Sequence, residues 1–277
     1  MPRVKANGLT MNYHQQGSGE PLILIPYLAA DHACYAFQAA EYAKHFTCIS
    51  LDLRGTGATD DPAGAYSTEV LADDVAAFMK ALGIGKAHVS GLSLGAGVGI
   101  WLAAKYPEAV VSLSLHSGWT KTDPFIKTVL ASWQVMAKAL NSVQEMVICS
   151  ILPWCLMPEL YANKPEFVRS LAEFVRSRPV QSVASFIQQS EAVLGHDAES
   201  QLQRIVAPAL ITFGGYDMIT SVRFADRLKQ GIRNSELFIF EGCAHAPLYE
   251  KIEEFNARTL DFLRQHAGAG AASSQFA

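Results

Sequence analysis

The stretch Gly91-Leu92-Ser93-Leu94-Gly95 constrains the fold of this chain more than any other. Residues 87–90 before it are typical of a short buried strand, and residues 94–106 after it have helical spacing and small side chains. A Gly-x-Ser-x-Gly turn between a strand and a helix is so tight that the serine backbone is strained and only small residues fit beside it. We therefore predict that the hydroxyl of Ser93 stands clear of the sheet, where a base can reach it.

Two further candidates follow predicted strands in the C-terminal part. An apolar run at 209–213 precedes Asp217, and a second at 237–240 precedes His245. Taken alone, Asp217 suits a turn and His245 a surface loop. A serine nucleophile, however, needs a base and a group that orients the base, and the chain order Ser, Asp, His is one of those known for this chemistry. We predict Ser93, Asp217 and His245 as a catalytic triad.

The order of predicted strands and helices along the chain predicts the domain organisation. Up to Leu115, strands alternate with helices, which favours an α/β fold with a mostly parallel central sheet flanked by helices. Residues 119–203 then contain helical segments (125–140, 143–152, 165–176 and 180–194) and no convincing strand. We predict a core of residues 1–118 and 204–266, a helical lid of residues 119–203 over the active site, and a low-complexity, disordered tail of residues 267–277. The apolar stretch 146–157 is interpreted either as lid core or as a wall of a substrate pocket.

Charge and cysteine content restrict the classes of partner and the cellular location expected for this chain. The formal net charge is −4 without a basic cluster, which argues against nucleic acid and membrane surfaces. The N-terminus lacks the apolar segment of a signal peptide, and five cysteines without metal-ligand spacing predict free thiols in a reducing cytoplasm. Cys243, two residues from His245, is the thiol that could sense reagents. We find no metal, P-loop or dinucleotide motif, so no cofactor is expected.

With these pieces placed, the chain up to about residue 266 resembles the α/β-hydrolase superfamily. The motifs GLSLGAG, DLRGTG and VAPALITFGGYDMIT are most similar to esterases and lactonases that include 3-oxoadipate enol-lactonases. The resemblance implies an oxyanion hole formed by the backbone N–H groups of Leu28 and Leu94. Two positions depart from the family pattern: Pro26-Tyr27 replaces His-Gly, and Thr56 replaces a histidine.

Tyr27 stands one residue before a predicted oxyanion donor. Three interpretations stay open: the ring fills pocket space, the hydroxyl bonds the substrate or the oxyanion, or the side chain only packs against the lid. His116 follows the β-run 110–115 and is expected at the mouth of the site, whereas His245 remains the triad histidine. The residues predicted to bind substrate are Tyr27, His116, Trp119, Trp154 and Met218.

These predictions indicate a cofactor-free serine hydrolase, monomeric or homodimeric, for a small-molecule carboxylic ester or lactone with an apolar portion. An acidic substrate becomes plausible only if Arg54 or Arg223 points into the pocket. The alternatives are other chemistry on the same scaffold (C–C bond cleavage, perhydrolysis or hydroxynitrile lysis) and a ligand-binding receptor with slow turnover.

Overall fold

The computed structural model describes residues 1–268, so all but the first two residues of the predicted disordered tail lie outside the described residues. Within residues 1–268, eight strands form one sheet: β1 (Arg3–Ala6), β2 (Leu9–Gln16), β3 (Pro21–Ile25), β4 (Thr47–Leu51), β5 (Ala87–Leu92), β6 (Val110–His116), β7 (Ala209–Gly214) and β8 (Ser235–Phe240). Their spatial order is β1-β2-β4-β3-β5-β6-β7-β8. The pairs β1–β2 and β2–β4 are antiparallel and the other neighbouring pairs are parallel, which confirms the predicted sheet.

The helices of the same residues are α1 (Ala36–Tyr42), α2 (Thr68–Ala81), α3 (Leu94–Lys105), α4 (Pro124–Leu140), α5 (Val143–Met146), α6 (Leu152–Cys155), α7 (Pro158–Asn163), α8 (Pro165–Ser177), α9 (Val183–Leu194), α10 (Ala225–Gly231), α11 (Pro247–Glu250) and α12 (Ile252–Gln265). Ser67 caps α2, because its hydroxyl accepts the N–H of Val70 at 3.1 Å. Helices α2 and α3 pack together on one face of the sheet, and α1 and α12 on the other.

Strand β3 demonstrates why a continuous apolar run marks a central strand. Its side chains alternate between the two faces, so Ile23 and Ile25 join the core beneath α2 and α3. Leu22 and Leu24 join the separate cluster that contains Leu260 and Leu263 of α12. Both faces of the strand are therefore covered by helices, as expected for a parallel sheet.

The chain between β6 and β7 is built from helices. Residues 119–203, here called the helical segment, contain α4 to α9 and a π-helical turn, Val147–Ile151, that joins α5 to α6. Their only β contact is an isolated bridge between Lys121 and Asp197. The four predicted segments overlap α4, α5, α8 and α9. Helix α6 begins at the last residue of a predicted segment, and α7 lies outside all of them.

The parallel strands direct the predicted triad to one edge of the sheet. Ser93 follows β5, Asp217 follows β7 and His245 follows β8, and the three strands run in the same direction. The carboxyl ends of parallel strands meet at a common edge, where ligands of open α/β sheets bind. The helical segment leaves β6 at that same edge.

Candidate active site

Ser93 occupies the sharp turn between β5 and α3, with φ of 53° and ψ of −118°. A serine adopts positive φ only where the surroundings impose it. A Cβ at Gly91 would lie 2.2 Å from the carbonyl oxygen of Gly95, and a Cβ at Gly95 would lie 2.2 Å from that of Ile25. Glycine at these two positions is therefore what allows the turn, and the half-buried side chain of Ser93 lines a cavity at the sheet edge.

His245 lines the same cavity and bonds to Asp217. Its Nδ1 lies 2.8 Å from Oδ2 of Asp217, and both residues are buried. A carboxylate that accepts the Nδ1 proton leaves Nε2 without one, which is the form that can take a proton from a serine hydroxyl. The structure thus places Ser93 and His245 on the wall of one cavity and bonds His245 to Asp217.

Thr220, which sequence analysis missed, holds the Asp217 carboxylate in place. Its Oγ1 lies 2.9 Å from Oδ2 of Asp217 and 2.9 Å from the carbonyl oxygen of Ser117. The other carboxylate oxygen, Oδ1, accepts the backbone N–H of Ile219 at 2.8 Å and that of Thr220 at 3.2 Å. Burial acts to raise the pKa of Asp217, but His245 and these hydrogen bonds hold it below its usual value. The carboxylate therefore stays ionised beside the imidazole.

Leu28 and Leu94, the predicted oxyanion donors, belong to two segments that touch. Leu94 is the first residue of α3, where backbone N–H groups lack intrahelical acceptors and the helix dipole favours negative charge. Leu28 lines the cavity, and the next residue, Ala29, has φ of 60°. The N–H of Ala29 donates to Oε1 of Gln189 at 2.9 Å, so the helical segment fixes this strained loop.

Tyr27 lines the cavity, and its hydroxyl is engaged with Tyr249. The two hydroxyl oxygens lie 2.7 Å apart, and that of Tyr249 donates to the carbonyl of Cys34 at 2.8 Å. Tyr27 must then donate its own proton to Tyr249, because a hydroxyl carries only one. Burial, followed by the neighbouring Tyr249, raises the pKa of Tyr27. Tyr27 can accept a bond from a substrate in this arrangement but has no proton to give.

The cavity has a volume of about 1350 Å³, part of it open to solvent. Its apolar wall comes largely from the helical segment, with Ile126, Leu130, Trp133, Val147, Ile151 and Leu171 among its residues. Asp31 and Arg178 are the acidic and basic side chains on its wall within residues 1–268, and they pair at 2.9 Å between Oδ2 and Nε. The part of the stretch 146–157 that faces the cavity therefore acts as a wall, whereas the rest packs elsewhere.

Trp119 lies on the cavity wall, but the structure corrects the expectation for His116. His116 is completely buried within the sheet layer and does not line the cavity. Its Nδ1 lies 2.7 Å from Oγ1 of Thr212, its Nε2 lies 3.2 Å from Oγ of Ser90, and its ring packs on Phe255. Burial lowers the pKa of His116 to about 3, so it is a neutral core residue.

Three further expectations, for Trp154, Met218 and Cys243, are wrong because the fold places these side chains elsewhere. Trp154 does not line the cavity, and the centroid of its ring lies 6.3 Å from that of Phe125. Met218 is 60% exposed on the loop after β7, and its neighbours Ile219 and Thr220 line the cavity instead. Cys243 is buried, and burial raises the pKa of its thiol to about 12, which disfavours the reactive thiolate.

The two arginines that bear on an acidic substrate lie outside the cavity. Arg54 makes two bonds to Asp74, each of 2.6 Å. Arg223 bonds to Asp123 at 2.9 Å on the surface. Neither guanidinium is placed to bind a substrate carboxylate.

Glu250 connects the loop of His245 to the helical segment. Its Oε2 accepts the N–H of Ala244 at 2.7 Å, and its Oε1 accepts the N–H of Met157 at 2.5 Å. A second link runs from the N–H of Ala246 to the carbonyl of Cys155 at 3.1 Å. Burial raises the pKa of Glu250, and the two backbone bonds oppose that shift. The residues on both sides of His245 are therefore attached to the helical segment.

One buried group could hold a metal by geometry. Ligand atoms of Asp31, His32 and Asp52 lie within 4.8 Å of one another. Asp52 already accepts bonds from His32, Asn12 and Ala58, and Asp31 pairs with Arg178. These bonds account for the arrangement without a metal ion. Within residues 1–268, no helix is both long and apolar enough to cross a membrane.

Comparisons with known proteins agree with the fold. The sequence profile of a family described as alpha/beta hydrolase fold matches residues 7–252. A protein of Caulobacter sp. (strain K31) named "Putative carbamate hydrolase RutD" is 27% identical, over 92% of this chain and 96% of its own length. The 3-oxoadipate enol-lactonase 2 of Acinetobacter baylyi is also 27% identical, over 91% of this chain and 92% of its own length.

Among solved structures, the enol-lactonase of Burkholderia xenovorans LB400 superposes with a TM-score of 0.85. It is 24% identical, and the match covers 95% of this chain and 100% of that one. At this identity the similarity establishes the fold.

Proposed function

Because the chain belongs to the alpha/beta hydrolase fold family, we propose that it is a serine hydrolase that cleaves a carboxylic ester or lactone with an apolar portion. One observation carries the proposal: a strained serine and a buried histidine lie on the wall of one mainly apolar cavity, and the histidine bonds to a buried aspartate. Similarity to proteins named as an enol-lactonase and a carbamate hydrolase supports acyl transfer as the reaction class.

The proposed reaction begins when Oγ of Ser93 attacks the acyl carbon and Nε2 of His245 takes its proton. Asp217 orients the imidazole and stabilises its charged form. The N–H groups of Leu28 and Leu94 bind the oxyanion of the tetrahedral intermediate. His245 then returns the proton to the leaving oxygen, and a water molecule that it deprotonates releases the acyl group. For a lactone, the leaving oxygen stays attached and the product is a hydroxy acid.

The cavity favours a substrate without a full charge. Its wall is mostly apolar, and its one arginine, Arg178, is neutralised by Asp31. Arg54 and Arg223 lie elsewhere. We propose that the helical segment acts as a lid, because it supplies most of the apolar wall above the strand ends. Closing such a lid excludes water and strengthens electrostatic interactions inside the site.

The test is turnover of a panel of p-nitrophenyl esters, γ-lactones and acyl-homoserine lactones by the wild type and by Ser93→Ala. The variant is expected to lose essentially all turnover and to retain the wild-type melting temperature. Ser170→Ala provides a matched control, because Ser170 is an exposed serine of α8 outside the cavity. Mass spectrometry of the quenched wild type is expected to show an acylated protein that Ser93→Ala lacks. Retention of more than a few per cent of the rate by Ser93→Ala would exclude Ser93 as the nucleophile.

A further inference from the structure

Gln181 lies on the cavity wall and has a buried amide group without a hydrogen-bond partner within residues 1–268. Its side chain is 8% exposed and lines the same cavity as Ser93 and His245. Within residues 1–268, neither its Oε1 nor its Nε2 has a hydrogen-bond partner. A buried amide without partners costs free energy, so such a group usually serves a ligand or a water molecule.

The chain before and after Gln181 is attached to the core. Gln181 lies in the connector between α8 and α9, three residues after Arg178 and one before the helix cap Ser182. Arg178 is paired with Asp31 in the loop after β3. Ser185, in the first turn of α9, bonds through Oγ to the carboxylate of Asp61 in the loop after β4. These two ties attach the connector to the core, so the amide is presented in a defined place.

The local charge selects a neutral ligand group. Arg178 and Asp31 cancel each other, and they are the acidic and basic side chains of the wall within the described residues. A carboxylate could accept from Nε2 of Gln181, but it has no proton for Oε1, which would remain unpaired. A neutral group that presents an N–H donor and a C=O acceptor on the same side satisfies both atoms.

A carbamoyl group, H₂N–C=O, has this arrangement and pairs with a glutamine amide through two parallel N–H···O bonds. The N–H and C=O of an ordinary trans secondary amide point in opposite directions and can make only one of these bonds at a time. Building on the function proposed above, we propose that Gln181 forms a subsite for esters or lactones whose apolar portion carries a carbamoyl group, as in a primary amide, a urea or a carbamate.

The test compares three p-nitrophenyl esters with the same chain and different ends: carbamoyl, its apolar isostere isopropyl, and carboxylate. Spacers of four to eight methylenes vary the distance between the end group and the ester and keep the two apart. The variants are Gln181→Met, which removes both polar atoms at similar size, and Gln181→Glu, which removes the donor. Gln134→Met is the matched control, because Gln134 lies in the helical segment outside the cavity and bonds to Glu191.

At the best spacer length, wild type is expected to prefer the carbamoyl ester over the isopropyl ester by about tenfold in kcat/KM, the effect of two modest hydrogen bonds. Both Gln181 variants are expected to lose this preference while Gln134→Met keeps it. Wild-type preference for the carboxylate, or a carbamoyl preference that survives in Gln181→Met, overturns the subsite. An equal loss of all three rates in Gln181→Met also overturns it, because a purely structural role predicts that result.

A binding measurement separates this subsite from the proposed reaction. Calorimetry of octanamide and octanoate with the wild type and with Gln181→Met requires no turnover. If no ester is hydrolysed, the proposed function fails, and the subsite is still judged by octanamide alone. About tenfold weaker binding of octanamide to Gln181→Met supports the subsite, and unchanged binding overturns it.

Discussion

Replacing Asp217 by asparagine changes one atom of the proposed triad, and the structure predicts where that atom goes. The Oδ1 position faces two backbone N–H groups, those of Ile219 and Thr220, at 2.8 and 3.2 Å. An asparagine NH₂ cannot occupy it without meeting two donors that cannot rotate. The Oδ2 position faces Nδ1 of His245 and the hydroxyl of Thr220, which can turn and accept. The NH₂ is therefore expected to face His245.

The orientation of the asparagine amide determines how far kcat falls. An NH₂ donor opposite Nδ1 forces that nitrogen to become the acceptor, so the proton moves to Nε2 of His245. An imidazole with a proton on Nε2 cannot take one from Ser93. A wrong tautomer of this kind costs a serine hydrolase about 10³–10⁴-fold in kcat, or about 4–5.5 kcal/mol of transition-state stabilisation. KM is expected to change little, because Asp217 does not line the cavity.

The assay is kcat for a short p-nitrophenyl ester, with the histidine tautomer read from ¹⁵N chemical shifts. Thr220→Val is the control, because it removes one bond to Oδ2 but keeps the carboxylate and its bond to His245. It is expected to lose about 10- to 150-fold at most, in line with the ~1.5–3 kcal/mol of one hydrogen bond to a charged group. If Asp217→Asn keeps more than a tenth of kcat, or if its Nδ1 remains protonated, the reasoning from these contacts is refuted.

Three other expectations concern stability and the cavity rim. Tyr27→Phe is expected to keep kcat within about twofold and to lower the free energy of unfolding by about 0.5–1.5 kcal/mol, since the hydroxyl donates to Tyr249 and not to substrate; a tenfold drop in kcat with unchanged melting would contradict this. The pKa of His116 is lowered to about 3, so between pH 6.5 and 3 the unfolded chain binds a proton that the folded chain does not. The free energy of unfolding therefore decreases as the pH is lowered through this range. Denaturant titrations at pH 7 and 5 should show the wild type losing about 2 kcal/mol more than His116→Gln, and parallel losses would count against a neutral buried imidazole. Gly95→Ala places a Cβ 2.2 Å from the carbonyl oxygen of Ile25, and urea denaturation is expected to show a loss of about 1–3 kcal/mol or more; a wild-type midpoint would contradict the close packing.

The meeting of the three candidate residues at one edge of the sheet could be predicted from sequence, because each position depends on local pattern and on strand direction. Ser93, Asp217 and His245 each follow a β-run, and parallel strands bring their carboxyl ends together whatever the details of packing. The helices of the helical segment follow from apolar spacing in the same way. Within it, the π-helical turn Val147–Ile151 depends on packing between helices and has no separate sequence signal.

The pocket residues could not be predicted as well, because side-chain direction at the end of a strand or helix is set by tertiary contacts. His116 ends its strand as expected, but its ring points into the layer occupied by Phe255. Met218 follows Asp217 directly, and a loop turn exposes it to solvent. Thr220 and Gln181 were missed, since a threonine in a loop and a glutamine between two helices carry no signal until their neighbours are known.

The attachment of Glu250 to both Ala244 and Met157 has a mechanical consequence. An opening of the helical segment that begins at Met157 would pull on the His245 loop and separate the imidazole from Asp217. An opening that begins at the connector near Gln181 breaks the bonds of Arg178 and Ser185 to the core, and neither bond involves the His245 loop. Under the proposed function, substrate and product that pass on that side leave His245 bonded to Asp217, so the histidine does not have to be repositioned after each turnover.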